Sequence, residues 1–177
     1  RRLGAGMWLL KNYLFLRLRL IDPDRLLGAL LRWLGWLYSR GFAIGVGAAG
    51  LLALHLVGRQ WDAYVHNFSW LFSLEGAAMA ALAMGGAKVV HEFGHGLTAK
   101  RYGCRVPAMG VALLVLWPVL WTDTTDAWRL RERRRRVAID AAGMAAEIVL
   151  AVAATLAWAV LPDGRSEEHT SELQSRL

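Results

Sequence analysis

The chain has 177 residues, 56% of them hydrophobic and only 20% charged, with a formal net charge of +7. A soluble domain carries about 25% charge and about 45–50% apolar residues. The apolar excess here sits in long blocks, which excludes a disordered chain and argues for a membrane protein. The single cysteine, Cys104, excludes an internal disulfide scaffold.

Residues 1–40 are basic and amphipathic. Over 14–20, Leu16, Leu18 and Leu20 alternate with Arg17 and Arg19, a strand period. Asp22-Pro23 marks a helix start, with Asp22 as N-cap and Pro23 in the first turn. Leu26, Leu27, Leu30, Leu31, Leu34 and Leu37 then recur at helical spacing beside Trp33 and Trp36, with Arg25, Arg32 and Arg40 opposite. That mixture fits an in-plane interfacial helix. A helix packed on a soluble core is the alternative.

Residues 42–58 form the first long apolar block, with His55 its one strongly polar residue. It is just long enough to span, and its small residues, Gly45 to Gly50 among them, suit close helix packing. In the following segment Trp61, Tyr64, Phe68 and Trp70 resemble an aromatic belt. His55 and His66 are read as isolated side chains rather than ligands. A second block, 68–90, is interrupted by Glu75 and Lys88 and runs into His-Glu-Phe-Gly-His at 91–95. Residues 107–121 are apolar but short for a crossing, as a re-entrant hairpin would be. Residues 137–161 are the clearest spanning helix, closed by Pro162-Asp163-Gly164.

Basic residues number eight in 1–40, one in 59–67, three in 100–105 and six in 129–136. The positive-inside rule therefore leaves only the 59–67 loop outside and the N-terminus in the cytoplasm. The expected fold class is an all-α polytopic membrane protein. It has about three transmembrane helices (42–58, 68–90 and 137–161), an amphipathic interfacial helix and the re-entrant segment. A little sheet is expected from 14–20 and the hairpin. The arginine run at 129–136 could suggest nucleic acid, but its apolar flanks and the topology account for it, so no nucleic-acid partner is expected.

One motif carries chemistry. HEFGH is the zinc-hydrolase pattern HExxH, and random order would give it about once in two hundred such chains. On a helix His91 and His95 lie on one face and can ligate a single Zn²⁺. Glu92, next to the first ligand, can take the proton of the attacking water as general base. Zinc would lower that water's pKa to about 7 and polarise the scissile carbonyl. The competing reading is a helix end where His and Glu meet the membrane interface.

Of the later carboxylates, Asp123 and Asp126 are expected in turn formation and helix capping. Asp140 and Glu147 are seven apart on one helix face. Glu147 is the better candidate for a hydrogen-bond partner of a zinc histidine, with a structural bond to a threonine or the backbone as the equal alternative.

The segment VVHEFGHGLTAKRYGCRVPAMGVALLVLWPVLWTDTTDAWRLRERRRRVAIDAAGMAAE, 89–147, resembles the site-2-protease class of intramembrane zinc metallopeptidases. It is most similar to the bacterial branch found beside secretion-adaptor or peptide-maturation genes. The resemblance extends more weakly back through Asp22-Pro23-Asp24. It implies HExxH in a core transmembrane helix and a later apolar helix opening with a small-residue motif, matched here by Ala142-Gly143-Met144. It also implies a bacterial inner-membrane enzyme that cleaves membrane-embedded or signal-like peptides, with a secretion-adaptor protein as partner.

The family's third zinc ligand, an aspartate of an Asp-Gly motif on a still later helix, has no counterpart. Asp163-Gly164 lacks the family's Asn/Pro lead-in and hydrophobic context, so the ligand role is not carried onto it. Residues 165–175, RSEEHTSELQS, look like translated sequencing-adapter DNA, and 165–177 are read as a non-native tail. The expected organisation is a juxtamembrane segment at 1–40, a membrane-embedded metallopeptidase core at 41–164, incomplete at its C-terminus, and that tail. As a truncated fragment it is expected to be inactive. The rival is a non-catalytic membrane subunit of a peptide-export or secretion complex.

Overall fold

The computed structural model describes residues 16–114 and 117–160. The start of the 14–20 strand segment, Pro162-Asp163-Gly164 and the 165–177 tail lie outside them.

The dipeptide Asp22-Pro23 sets the first boundary. Strand β1 (Leu16–Ile21) ends there and helix α1 (Asp24–Leu34) begins. Pro23 already has helical backbone angles, and its carbonyl accepts from the Leu27 amide at 2.8 Å. The N-cap position is therefore held by Pro23 and not by Asp22, whose Oδ1 accepts from the Asp24 amide at 3.3 Å from one residue further out. After a 3₁₀ turn (Gly35–Tyr38), Ser39 caps helix α2 (Arg40–Arg59) by accepting from the Phe42 amide at 3.1 Å. Short helix α3 (Trp61–Trp70) follows, then α4 (Leu74–Arg101). Strands β2 (Met109–Leu114) and β3 (Trp117–Thr122), a 3₁₀ turn (Thr125–Arg129) and helix α5 (Arg133–Val160) complete the order.

Two of these helices, α2 and α5, are long and apolar enough to cross a membrane. Apart from Ala53 on α2 and Ile139 and Ala142 at the start of α5, their apolar side chains stay outside the core. Ile44, Leu51 and Leu54 on α2 are about 70% exposed, and Ile148 and Val160 on α5 are also exposed. A soluble core helix would bury them. The expected 68–90 crossing is instead divided. The chain turns at 71–73, where Ser73 donates from N and Oγ to the Trp70 carbonyl and its Oγ caps α4 at the Gly76 amide. Gly76 lies directly against that carbonyl, where a side chain has no room.

The chain is mostly helical, and the little sheet expected beside the helices is present. β1, β2 and β3 form an antiparallel sheet in that order, with Leu18 opposite Val111 and Val111 opposite Leu120. The 107–121 hairpin is thus a β-hairpin, and the leucine/arginine alternation of β1 supplies its third strand.

The core gathers where α1, α4, the 3₁₀ turn at Thr125–Arg129 and the start of α5 meet. Leu27, Val106 and Ile139 are fully buried there beside Leu97, Ala99, Cys104 and Ala127. Helix α1 therefore packs on a core through Leu27, with Leu30, Leu31 and Leu34 partly buried, while Leu26, Trp33 and Trp36 stay exposed. Burial pushes the Cys104 thiol up, which keeps it protonated and unreactive.

Asp24 ties this core together. Its carboxylate accepts from Lys100 Nζ at 2.7 Å and from the Val106 amide at 3.0 Å. The Lys100 bond first, and the Val106 bond second, hold the carboxyl below the usual carboxylate range. A depressed folded-state pKa contributes stability that is complete above the unfolded value, near 3.9. That contribution is lost as pH falls through the lower folded value. Asp24→Ala should cost about 2 kcal/mol near neutral pH, the worth of charge-assisted hydrogen bonds. It should also flatten the acid limb of a denaturation curve. An unchanged acid limb would count against this role.

Candidate metal centre

Helix α4 places His91 and His95 four residues apart and turns both toward α5. Their Nε2 atoms are 3.0 Å apart, with ring centroids 4.7 Å apart. The two helices run antiparallel, and partners recur every three or four residues on α4 and every four on α5. His95 Nδ1 lies 2.7 Å from the Ile139 carbonyl, the His91 ring lies over Gly143, and Lys88 Nζ donates to Glu147 Oε1 at 2.8 Å.

These contacts define the state of the rings. A carbonyl only accepts, so His95 carries its proton on Nδ1 and presents a lone pair at Nε2. His91 Nδ1 sits 3.2 Å from Glu147 Oε1, within ion-pair reach though without hydrogen-bond alignment. A carboxylate there favours the Nδ1–H form of His91 as well. The two Nε2 atoms, 3.0 Å apart, are joined either by a proton that His91 Nε2 donates to His95 Nε2 or, with both lone pairs turned inward, by a shared cation. The donor set fits a shared metal, and each ring's other nitrogen has the backbone-carbonyl or carboxylate neighbour that metal-bound histidines use.

Glu147 faces the Nδ1 side of His91, away from the paired Nε2 atoms. This is the position of an orienting group and not of a ligand. Among the described residues no group of three or more His, Cys, Asp or Glu side chains is placed to hold a metal ion.

Glu92 projects from another side of α4. With Val89 and Phe93 it lines an open cleft of about 160 Å³ whose other walls include Leu20, Met109, Leu120 and Trp121. Among the described residues it is the one charged member of that lining. Its own carbonyl accepts from Thr122 Oγ1 at 3.2 Å, which fixes the end of β3 against the motif.

Close helix contact makes this geometry possible. A Cβ on Gly94 would lie 2.6 Å from the Ala142 carbonyl, and a Cβ on Gly143 would lie 2.5–2.6 Å from three atoms of the His91 ring. Gly94 thus admits neighbouring backbone. Gly96 differs, since its open side is filled by the side chains of Leu27 and Met109.

The other carboxylates stay apart from the histidines. Asp123 Oδ1 accepts from the amide and hydroxyl of Thr125. Asp126 accepts from the Arg105 amide at 2.9 Å and from Arg129 at 3.0 Å, and these bonds hold its carboxyl below the ordinary range. Asp140, His55 and His66 are exposed. Sequence reasoning missed Lys88 as a partner of Glu147, the Ile139 carbonyl, and the steric role of Gly143. The four-residue spacing of Ile139, Gly143 and Glu147 was the available signal.

A sequence profile described as Peptidase family M50 matches residues 79–173, more than half of the chain. No curated protein and no solved structure is matched.

Proposed function

The chain belongs to peptidase family M50, and from that membership we propose that it forms the core of a zinc-dependent, site-2-protease-type intramembrane endopeptidase. The observation that carries the reading is the pair of inward-facing Nε2 atoms of His91 and His95, 3.0 Å apart, each ring having a neighbour on its other nitrogen. A zinc ion held by these two residues would supply Lewis-acid activation of water and of the scissile carbonyl.

The chain's own groups have distinct tasks. His95 keeps its proton on Nδ1 for the Ile139 carbonyl, and His91 keeps its proton on Nδ1 toward Glu147. Glu92 takes the proton of the attacking water and passes one to the leaving amine. The apolar cleft beside Glu92 lowers the local dielectric and receives an apolar stretch of substrate, which suits membrane-embedded or signal-like peptides.

A third protein ligand completes catalytic zinc sites. With His91 and His95 alone this chain is expected to bind zinc and not to turn over substrate. The exposed apolar residues Leu82 and Met84 on α4 support a third crossing. At about 1.5 Å per residue, its 28 residues are ample. The distribution of basic residues supports a cytoplasmic N-terminus, and the resemblance to the bacterial branch of the family supports a bacterial inner membrane. A secretion adaptor is the proposed protein partner, and the lipid bilayer is the proposed surroundings.

The test is metal analysis of the purified chain after zinc loading and removal of excess. One zinc per chain is expected in wild type, with loss in both His91→Ala and His95→Ala. Equal zinc retention in both variants would overturn the reading.

A further inference from the structure

We propose that Lys88 is a positioning residue: it holds the Glu147 carboxylate, which in turn fixes the His91 ring with Nε2 toward His95. This rests on the reading of His91 as a metal ligand. Lys88 and His91 lie three residues apart on α4, so they share a face. Both address one oxygen across the helix pair, with Lys88 Nζ 2.8 Å and His91 Nδ1 3.2 Å from Glu147 Oε1.

Three observations single out the lysine. His91 Nδ1 is buried and has no hydrogen-bond partner among the described residues. Its nearest charged neighbour is the Glu147 carboxylate at 3.2 Å, and the Gly143 surface lies beneath the ring. The carboxylate itself has one strong tether, the Lys88 ammonium. Lysine and glutamate are also costly on helices that face lipid and persist there when they serve each other or a site. Without the tether, Glu147 is free to leave by side-chain rotation, and the imidazole can turn over and present Nδ1 where Nε2 is needed.

A cation beside a metal site acts in two opposing ways, and this makes the proposal testable. Coulomb repulsion alone predicts tighter zinc binding when Lys88 is neutralised. Positioning predicts weaker binding. The side chain of Lys88 is 61% exposed, so its replacement leaves no core cavity.

Zinc is titrated into the metal-free, detergent-solubilised full chain in wild type, Lys88→Met, Lys88→Arg, Glu147→Ala and the Lys88→Met/Glu147→Ala double variant. Lys88→Met should weaken zinc about tenfold, the lower end for groups that orient a metal-bound histidine. Lys88→Arg should restore most of the affinity, and Lys88→Met should add nothing once Glu147 is gone. Unchanged or tighter binding in Lys88→Met, or additive losses in the double variant, would overturn the proposal. If the wild-type chain takes up no zinc, the metal reading above fails and positioning is judged separately. The ¹⁵N spectrum of His91 in the metal-free chain should show the Nδ1–H tautomer in wild type and a mixture in Lys88→Met. Identical tautomers in the two would then overturn it.

Discussion

Replacing Gly143 with alanine should dismantle the histidine pair without touching either histidine. The new Cβ would sit 2.5–2.6 Å from Nε2, Cδ2 and Cε1 of His91, closer than non-bonded carbon and nitrogen atoms approach. Retreat of helix α5 would give up the close seat of Gly94 against the Ala142 carbonyl and the bond from His95 to the Ile139 carbonyl. The ring must move. Overpacking of this kind costs about 1–3 kcal/mol. Taken up at the metal-binding face, it corresponds to a loss of zinc affinity of about tenfold to a hundredfold. Wild-type zinc affinity in Gly143→Ala, measured by competition with a chelating dye, would show that the ring has room that this geometry denies it.

The second large effect separates binding from chemistry. Glu92→Gln preserves the shape of the side chain in its apolar cleft and leaves the backbone bond from Thr122 intact. It removes only the capacity to accept and return a proton. In the gene product with a complete ligand set, zinc content should be unchanged while peptide hydrolysis falls about 10²- to 10⁴-fold, the usual contribution of a positioned general base. Hydrolysis at the wild-type rate would remove Glu92 from the mechanism. Loss of zinc would instead make it a ligand.

The site was legible where its information is local. His91, Glu92 and His95 follow from spacing along one helix, and Asp22-Pro23 marks the start of α1 by local backbone chemistry. The break at 71–73 has no proline or glycine to announce it. It depends on Ser73 bonding back to Trp70 and on Gly76 fitting against the same carbonyl. The run 107–121 is apolar throughout, and periodicity cannot separate a buried strand from a buried helix in such a run. Only pairing with β1, nearly ninety residues earlier, decides it. Lys88 was visible as an interruption in an apolar block. Its partner was hidden because the relative register of α4 and α5 is a property of two surfaces in contact and not of either sequence alone.

That register has a built-in index. His95, His91 and Lys88 meet Ile139, Gly143 and Glu147 rung by rung. A slip of one helical turn, about 5.4 Å, would bring Ile139 or Glu147 to the rung that only a glycine can occupy opposite His91. The absent side chain of Gly143 thus works as a keyway, and the imidazole is the key that seats in it. The two helices can be assembled in one axial alignment, and that alignment is the one in which the histidines face each other.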